Sequence, residues 1–289
     1  MTKPVVRFSI VFQSLGWILL FIFILIIWNY QLCSHVTHFY NNDNDCQQSL
    51  NESDGFICES NYLWNKRKYI YQTQEKKNLI RRPNSYYFAS NWEPNFHCSH
   101  AERIGAMGDG GKWICDLFRM KSQNNCLIYS AGSSGDFSFE IHMKKVLPHC
   151  EIHTFDKNLY LCPTNTCIFH QIMFGTDIQL NNSETWSTII QKLSHRHRFI
   201  DVLKIDIEGG EYSFLPQIFN SIKNIWPRQI LVELHPINVT IIEGIFDLMR
   251  KNNYVIFNKE NNVDGGPYFF EYGFLKLNPQ FFLHSSSKT

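Results

Sequence analysis

The apolar positions of this 289-residue chain fall into three regimes. From Phe8 to Trp28 there is no charged residue, and residues 17–28 are almost wholly apolar. Residues 29–95 have no clean apolar period: 41–45 is a run of Asn and Asp, and 66–82 is rich in Lys, Arg, Gln and Tyr. From about Phe96 onward, short apolar runs alternate with stripes at helical spacing. The runs 126–131, 151–156, 168–174, 199–208, 229–235, 254–257 and 269–277 are predicted strands. Between them, Phe139, Met143, Val146 and Leu147 mark one helix. Trp186, Ile189, Ile190 and Leu193 mark a second, with Asn182 or Ser183 as its expected N-cap. Residues 212–223 form a third, where Pro216 requires an early start or a kink. Ile241, Ile242, Ile245, Leu248 and Met249 mark a fourth, ended by Asn252 and Asn253. Such alternation predicts an α/β fold, a parallel sheet with helices on both faces. The last two strands have no helix between them and are expected to pair as an antiparallel hairpin across residues 264–267.

The first regime sets an expectation about compartment. A run of about 20 apolar residues suffices to cross a bilayer. Lys3 and Arg7 precede it, and no Lys or Arg follows until Lys66. That asymmetry predicts a single-pass type II protein: cytosolic tail 1–7, transmembrane signal anchor 8–28, stem 29–95 and a folded domain 96–289 in the secretory lumen, Golgi or ER, or outside the cell. A cleaved signal peptide is the competing reading, but no small-x-small cleavage site follows the apolar run in residues 29–34. Sequons at Asn51, Asn181 and Asn238 and a total of nine cysteines agree with a luminal body, and disulfides are expected. Cys162 and Cys167 could close a small loop on themselves. The odd count leaves one thiol over, and Cys33 could link two copies as a disulfide-bonded homodimer. No cysteine pair has zinc-ligand spacing with partner histidines, so no structural zinc site is expected. Lys plus Arg (27) nearly balances Asp plus Glu (26), which argues against nucleic acid as a partner.

Candidate chemistry collects at strand ends. The apolar run from Phe199 stops abruptly in Asp206, Glu208 and Glu211, with Gly209 and Gly210 between them. In an open parallel sheet, ligands sit beyond the carboxyl ends of strands, so these carboxylates are placed to meet one. Ser130, Gly132, Ser133 and Gly135 form a glycine turn at a strand-to-helix junction, where a backbone approaches a ligand closely; a plain tight turn is the alternative. Ser134 stands where a dinucleotide fingerprint has its second glycine. Asp156 ends the next predicted strand, about twenty residues on, where a carboxylate can accept both hydroxyls of a ribose. Glu233 and His235 share one side of a strand. His235 is the expected general base, or simply a hydrogen-bonded histidine; with Asp206 and Glu233 it could instead hold a divalent metal. Residues 109–112, Asp-Gly-Gly-Lys, suit a lid over the site or an ordinary loop.

The glycine turn, Asp156 and the run 201–211 resemble class I S-adenosylmethionine-dependent methyltransferases, and the last run resembles the FkbM-type signature. With residues 103–116, 232–235 and 271–277, the pattern is similar to the membrane-anchored methyltransferase-like protein 24 family over roughly residues 96–280. The resemblance implies a Rossmann-like seven-stranded sheet in the order 3-2-1-4-5-7-6 with the last strand antiparallel. It implies S-adenosyl-L-methionine as cofactor, with Ser130, Gly132, Ser133 and Gly135 at its methionine part, Asp156 on the ribose, Asp177 near the adenine and Asp206 between cofactor and acceptor. O-methyl transfer to a small molecule or glycan is the implied reaction, with Asp206, Glu208 or His235 taking the acceptor proton. Two rivals stand beside it: an inactive methyltransferase-fold protein serving as a luminal scaffold, and a dinucleotide-dependent enzyme. A luminal body carries glycans, so digestion with an amidase specific for N-linked glycans is expected to increase the gel mobility of the protein from secretory cells; an unchanged band would contradict the topology.

Overall fold

A computed structural model describes residues 45–74, 84–175, 182–221, 225–262 and 264–283. The body begins with helices α1 (Gln47–Glu52), α2 (Asn61–Thr73) and α3 (Asn84–Ser90), then a hairpin of β1 (Ala101–Ile104) and β2 (Lys112–Cys115), and helix α4 (Leu117–Lys121). The alternating part follows as β3 (Leu127–Ala131), α5 (Ser138–Val146), β4 (Glu151–Asp156), β5 (Ile168–Gln171), the short pair β6 (Met173–Phe174) and β7 (Ser183–Glu184), α6 (Trp186–Lys192), β8 (Val202–Ile205), α7 (Glu211–Phe219), β9 (Gln229–Leu234), α8 (Val239–Lys251), β10 (Tyr254–Asn261) and β11 (Phe270–Lys276). A 3-10 turn at Pro279–Phe282 closes it.

The seven-stranded sheet runs β10-β11-β9-β8-β3-β4-β5. Neighbours from β9 to β5 are parallel, while β11 is antiparallel to both β9 and β10. Counting only the seven sheet strands in chain order, this is the expected 3-2-1-4-5-7-6 arrangement, hairpin included. The strand period of two divides the core between two faces. Leu127, Tyr129 and Ala131 of β3 join one cluster with Trp186 of α6 and Phe214 of α7. Ile128 of the same strand joins the opposite cluster with Phe139 and Met143 of α5.

Some boundaries differ from the expectation. The run 168–174 is broken at Ile172, because Met173–Phe174 leave the main sheet to pair with Ser183–Glu184. That pairing places Asn182 and Ser183 too early to cap α6, and Thr185 does so, its hydroxyl accepting from the Thr188 amide. Pro216 stands inside α7, five residues after its start. Asp177, expected near the adenine, and the sequon at Asn181 lie outside the described residues, as does the apolar run at 8–28. Among the described residues no helix is long and apolar enough to cross a membrane.

The polar region 29–95 contributes structure where it is described. Trp64 of α2 is fully buried against Phe96 and Phe281, and its indole N–H donates to Glu52 Oε2 at 2.8 Å. Lys68 Nζ reaches Glu52 Oε1 at 2.8 Å, and the Asn278 amide donates to the Glu52 carbonyl at 2.9 Å. Four disulfides, Cys46–Cys58, Cys98–Cys115, Cys126–Cys150 and Cys162–Cys167, tie the body; the last closes the small loop anticipated from sequence.

A polar cluster lies under the β3-β4-β5 edge. His153 Nδ1 is 2.8 Å from His170 Nε2, and Tyr129 Oη is 2.6 Å from His195 Nδ1. Glu151 faces His153, and Arg198 Nη1 donates to Glu151 Oε2 at 2.5 Å. Burial, then the neighbouring His153, lowers the pKa values of His170 and His195 to about 4. Burial lowers His153 as well, against the pull of Glu151. The unfolded chain therefore takes up protons in the window between about 6.5 and 4, where these imidazoles stay neutral in the fold, and stability falls as pH falls through it. Any drop in melting temperature between pH 7 and pH 4.5 is expected to be smaller in His195→Phe than in the wild type; equal changes by scanning calorimetry would refute this.

Candidate active site

Beyond the carboxyl ends of β3, β4, β8 and β9 opens a cavity of about 980 Å³. One wall is the turn after β3. Gly132 sits at φ +79° with its Cα hard against the Asp206 carbonyl; a Cβ there would lie 1.6 Å from that oxygen. Glycine is required here by the contact between two strand ends, as the tight-turn alternative anticipated. Gly135, at φ +85°, is held against the Tyr160 ring. Asp156 closes β4, and its Oδ2 accepts from the amides of Ser133 and Ser134 at 3.1 and 2.9 Å. Its Oδ1 accepts from the Asn158 amide at 2.9 Å. The carboxylate thus pins the turn while still lining the cavity.

Gly132, Ser133, Asp156, Asp206, Glu208 and His235 all reach this cavity. Ser130 does not: it is fully buried in β3, beside Lys204 of β8, with Oγ unpartnered. Gly135 shapes the turn without lining the cavity.

The floor holds an arrangement that residue spacing concealed. Lys112 Nζ, buried, contacts Glu271 and lies 3.2 Å from Asp206 Oδ2 and 3.8 Å from Glu233 Oε2. Glu233 and Glu271 are directly paired across β9 and β11, which places two carboxylates side by side. Burial opposes the charge on Lys112, but Glu271 and then Asp206 hold its pKa above the ordinary lysine value. Burial would also raise Asp206; Lys112 and Lys204 outweigh it and keep this carboxyl below its usual range. Glu233 goes the other way: burial first, then Asp206 and Glu271, push it up to about 8. Asn262 Nδ2 donates to Glu233 Oε2 at 3.0 Å. The loop 105–111 is laced down on both sides, Ala106 N to Ser138 Oγ at 3.1 Å and Asp109 N to Asp264 Oδ2 at 3.0 Å, so it is a pinned wall where a mobile lid was one expectation.

His235, the expected general base, lines the cavity among carboxylates. Its Nδ1 lies 3.5 Å from Glu211 Oε1 and its Nε2 3.4 Å from Glu208 Oε2, ion-pair distances too long for strong hydrogen bonds. Burial, the largest single influence, would lower its pKa, but Glu211, then Glu233 and Asp206, raise it to about 9. That upward shift favours the protonated ring, which donates from both nitrogens. Glu208, at φ +56°, turns its side chain out to 78% exposure beside it. Glu233 is the titratable group poised nearer neutrality. Its i, i−2 position relative to His235 was the available signal, whereas nothing near Lys112 in sequence announced its three partners.

The methyltransferase-domain family matches residues 47–276 of the chain. The chain belongs to that family. Its match begins at α1, so the helices before the sheet are part of what the family describes. Sequence comparison with curated proteins gives no significant match. Among solved structures, the chain is similar to TrmK of M. capricolum bound to S-adenosyl-homocysteine, at 12% identity over 56% of this chain and 67% of that one, with a TM-score of 0.36. It is also similar to human methyltransferase-like protein 13 bound to the same compound, at 12% identity over 56% and 76% of the two chains and a TM-score of 0.35. Fibrillarin of Methanococcus jannaschii is similar at 10% identity over 63% and 84%, with a TM-score of 0.36. Family membership rests on the domain match.

Removing the cation from the floor of this methyltransferase cavity leaves three buried carboxyls facing one another. Lys112→Met is expected to destabilise the protein by about 3 kcal/mol, the scale for breaking a buried ion pair. Chemical denaturation at pH 7 tests this, and a loss below about 1 kcal/mol would show the cluster to be energetically neutral.

Proposed function

We propose that the protein is an S-adenosylmethionine-dependent methyltransferase that forms an O-methyl product on a small or sugar-like acceptor. The likeness to FkbM-type and methyltransferase-like protein 24 sequences suggests the oxygen acceptor. The N-terminal apolar run, sequons and disulfides suggest a membrane-anchored enzyme with its domain in the secretory lumen. The observation that carries the catalytic reading is the cavity itself: a methyltransferase-family sheet opens at its carboxyl ends into a space where Asp156, Asp206 and Glu233 converge.

The residues present fit the cofactor. Phe155, Ile172, Met173 and Phe174 give the cavity an apolar wall suited to a purine, and Asp156 beside them has the chemistry to accept ribose hydroxyls. Carboxyl side chains of Asp109, Asp136, Asp156, Asp206, Glu208 and Glu233 line the space against Lys157, Lys204 and His235, a balance that favours a cationic ligand such as a sulfonium. S-adenosylmethionine, when bound, supplies an electrophilic methyl group. The protein aligns the acceptor oxygen for in-line attack, and the ionised form of Glu233, which grows as pH rises through about 8, takes the acceptor proton while Asp206 stays ionised. The His235 imidazolium can orient the acceptor by donating a hydrogen bond.

Calorimetric titration with S-adenosylhomocysteine tests the reading, with NAD as control. Micromolar binding of the first alone is expected, weakened about tenfold or more in Asp156→Asn and further in Asp156→Ala, which also frees the turn amides. A well-folded protein that binds neither ligand would point to an inactive scaffold, and preference for NAD would point to a dinucleotide enzyme.

A further inference from the structure

The histidine cluster under the β3-β4-β5 edge is unused by this chemistry. Glu151 opens β4 and Asp156 closes it, so the cluster and the cavity occupy opposite ends of one strand. Three ligand-type atoms converge there. Glu151 Oε1 lies 2.6 Å from His153 Nε2 and 3.7 Å from His195 Nε2, and a ligand atom of each of the three residues lies within 4.8 Å of the others. Tetrahedral zinc with bonds near 2.0–2.1 Å needs ligand atoms about 3.3 Å apart, a spacing these distances bracket.

The surrounding contacts suit a metal as well. A ligating imidazole donates its other ring N–H to a second partner, which fixes its tautomer and orientation. His195 Nδ1 already has the Tyr129 hydroxyl at 2.6 Å, and His153 Nδ1 has His170 Nε2 at 2.8 Å. Both partners can accept as well as donate, so the two histidines can present unprotonated Nε2 atoms to one point without moving a ring far. The rings stand at 83° to each other, 5.0 Å between centroids. Both histidines are buried, while the Glu151 side chain is 37% exposed and supplies the way in. The occupant of the neighbourhood is Arg198, whose Nη1 is 2.5 Å from Glu151 Oε2 and 3.5 Å from His195 Nε2. Its side chain is 33% exposed and can swing outward.

We propose that Glu151, His153 and His195 form a zinc site that braces the β4 edge, with Arg198 as the cation that a metal displaces. Two imidazoles and a carboxylate are a donor set that zinc takes with a water in the fourth position. The site is independent of the methyltransferase reading.

Full-length protein, prepared without reductant and alkylated at any remaining thiol, would be titrated with zinc ion alone against a chromophoric chelator. One zinc per chain is expected at submicromolar affinity, with an absorption-edge spectrum of nitrogen and oxygen ligands and no sulfur. Glu151→Gln and His195→Gln should each weaken it at least tenfold, and Arg198→Gln should tighten it severalfold. Near-UV circular dichroism would establish that each variant is folded. Because Glu151 is partly exposed, its variant keeps the test open if a histidine variant unfolds. Folded wild-type protein that retains no zinc would overturn the proposal. So would zinc binding that Glu151→Gln leaves unchanged, since the ion would then sit elsewhere, such as at Asp206, Glu208 and His235 in the cavity.

Discussion

One buried ammonium organises the working end of this molecule. Lys112 comes from the β1–β2 hairpin, yet its partners stand on or just beyond β8, β9 and β11. Carboxylates crowded together in a low-dielectric floor cannot all stay ionised unless a cation sits among them. With Lys112 in place, Asp206 remains an anion and Glu233 is left near the point where it can gain or lose a proton. The hairpin is therefore an electrostatic part of the sheet rather than an appendage to it. It also explains why the loop above Lys112 is pinned, since a residue neutralising several strands cannot ride on a segment that swings.

The second constraint is steric. Parallel strands β3 and β8 end side by side, and the Asp206 carbonyl presses on Gly132. That contact holds the turn that carries Ser133 and Ser134, and Asp156 fastens it from the other side. Floor and wall are thus coupled through Asp206, whose backbone shapes one and whose side chain serves the other.

Most of the sheet was legible from periodicity alone, because buried parallel strands announce themselves as apolar runs between helical stripes. The hairpin ending was legible for the same reason. What escaped was governed by tertiary pairing. The break at Ile172 depends on Met173 and Phe174 finding Ser183 and Glu184, a short pairing with no periodic signature. In the site, strand-end acids could be placed because topology sends them to one rim. Their protonation could not, since the pKa values of Glu233 and His235 depend on neighbours distant in sequence. Ser130 shows the limit of a motif: a hydroxyl near a strand end, expected to face a cofactor, is fully buried. The polar region before residue 96 lacks a clear stripe because its buried residues, Trp64, Lys68 and Tyr71, mix aromatic and charged chemistry on one face.

That region bears on how the protein must be made. Helix α2 and the Pro279–Phe282 turn, over two hundred residues apart, meet through Trp64, Tyr71 and Phe281, and Glu52 fastens both to α1. The two ends of the chain's body form one clasp across the back of the sheet. During synthesis the first half of that clasp waits, its tryptophan uncovered, until the last described residues arrive. The fold is sealed only once Phe281 has been made, and a shortened version starting at the sheet would leave Phe96 and Phe281 without Trp64.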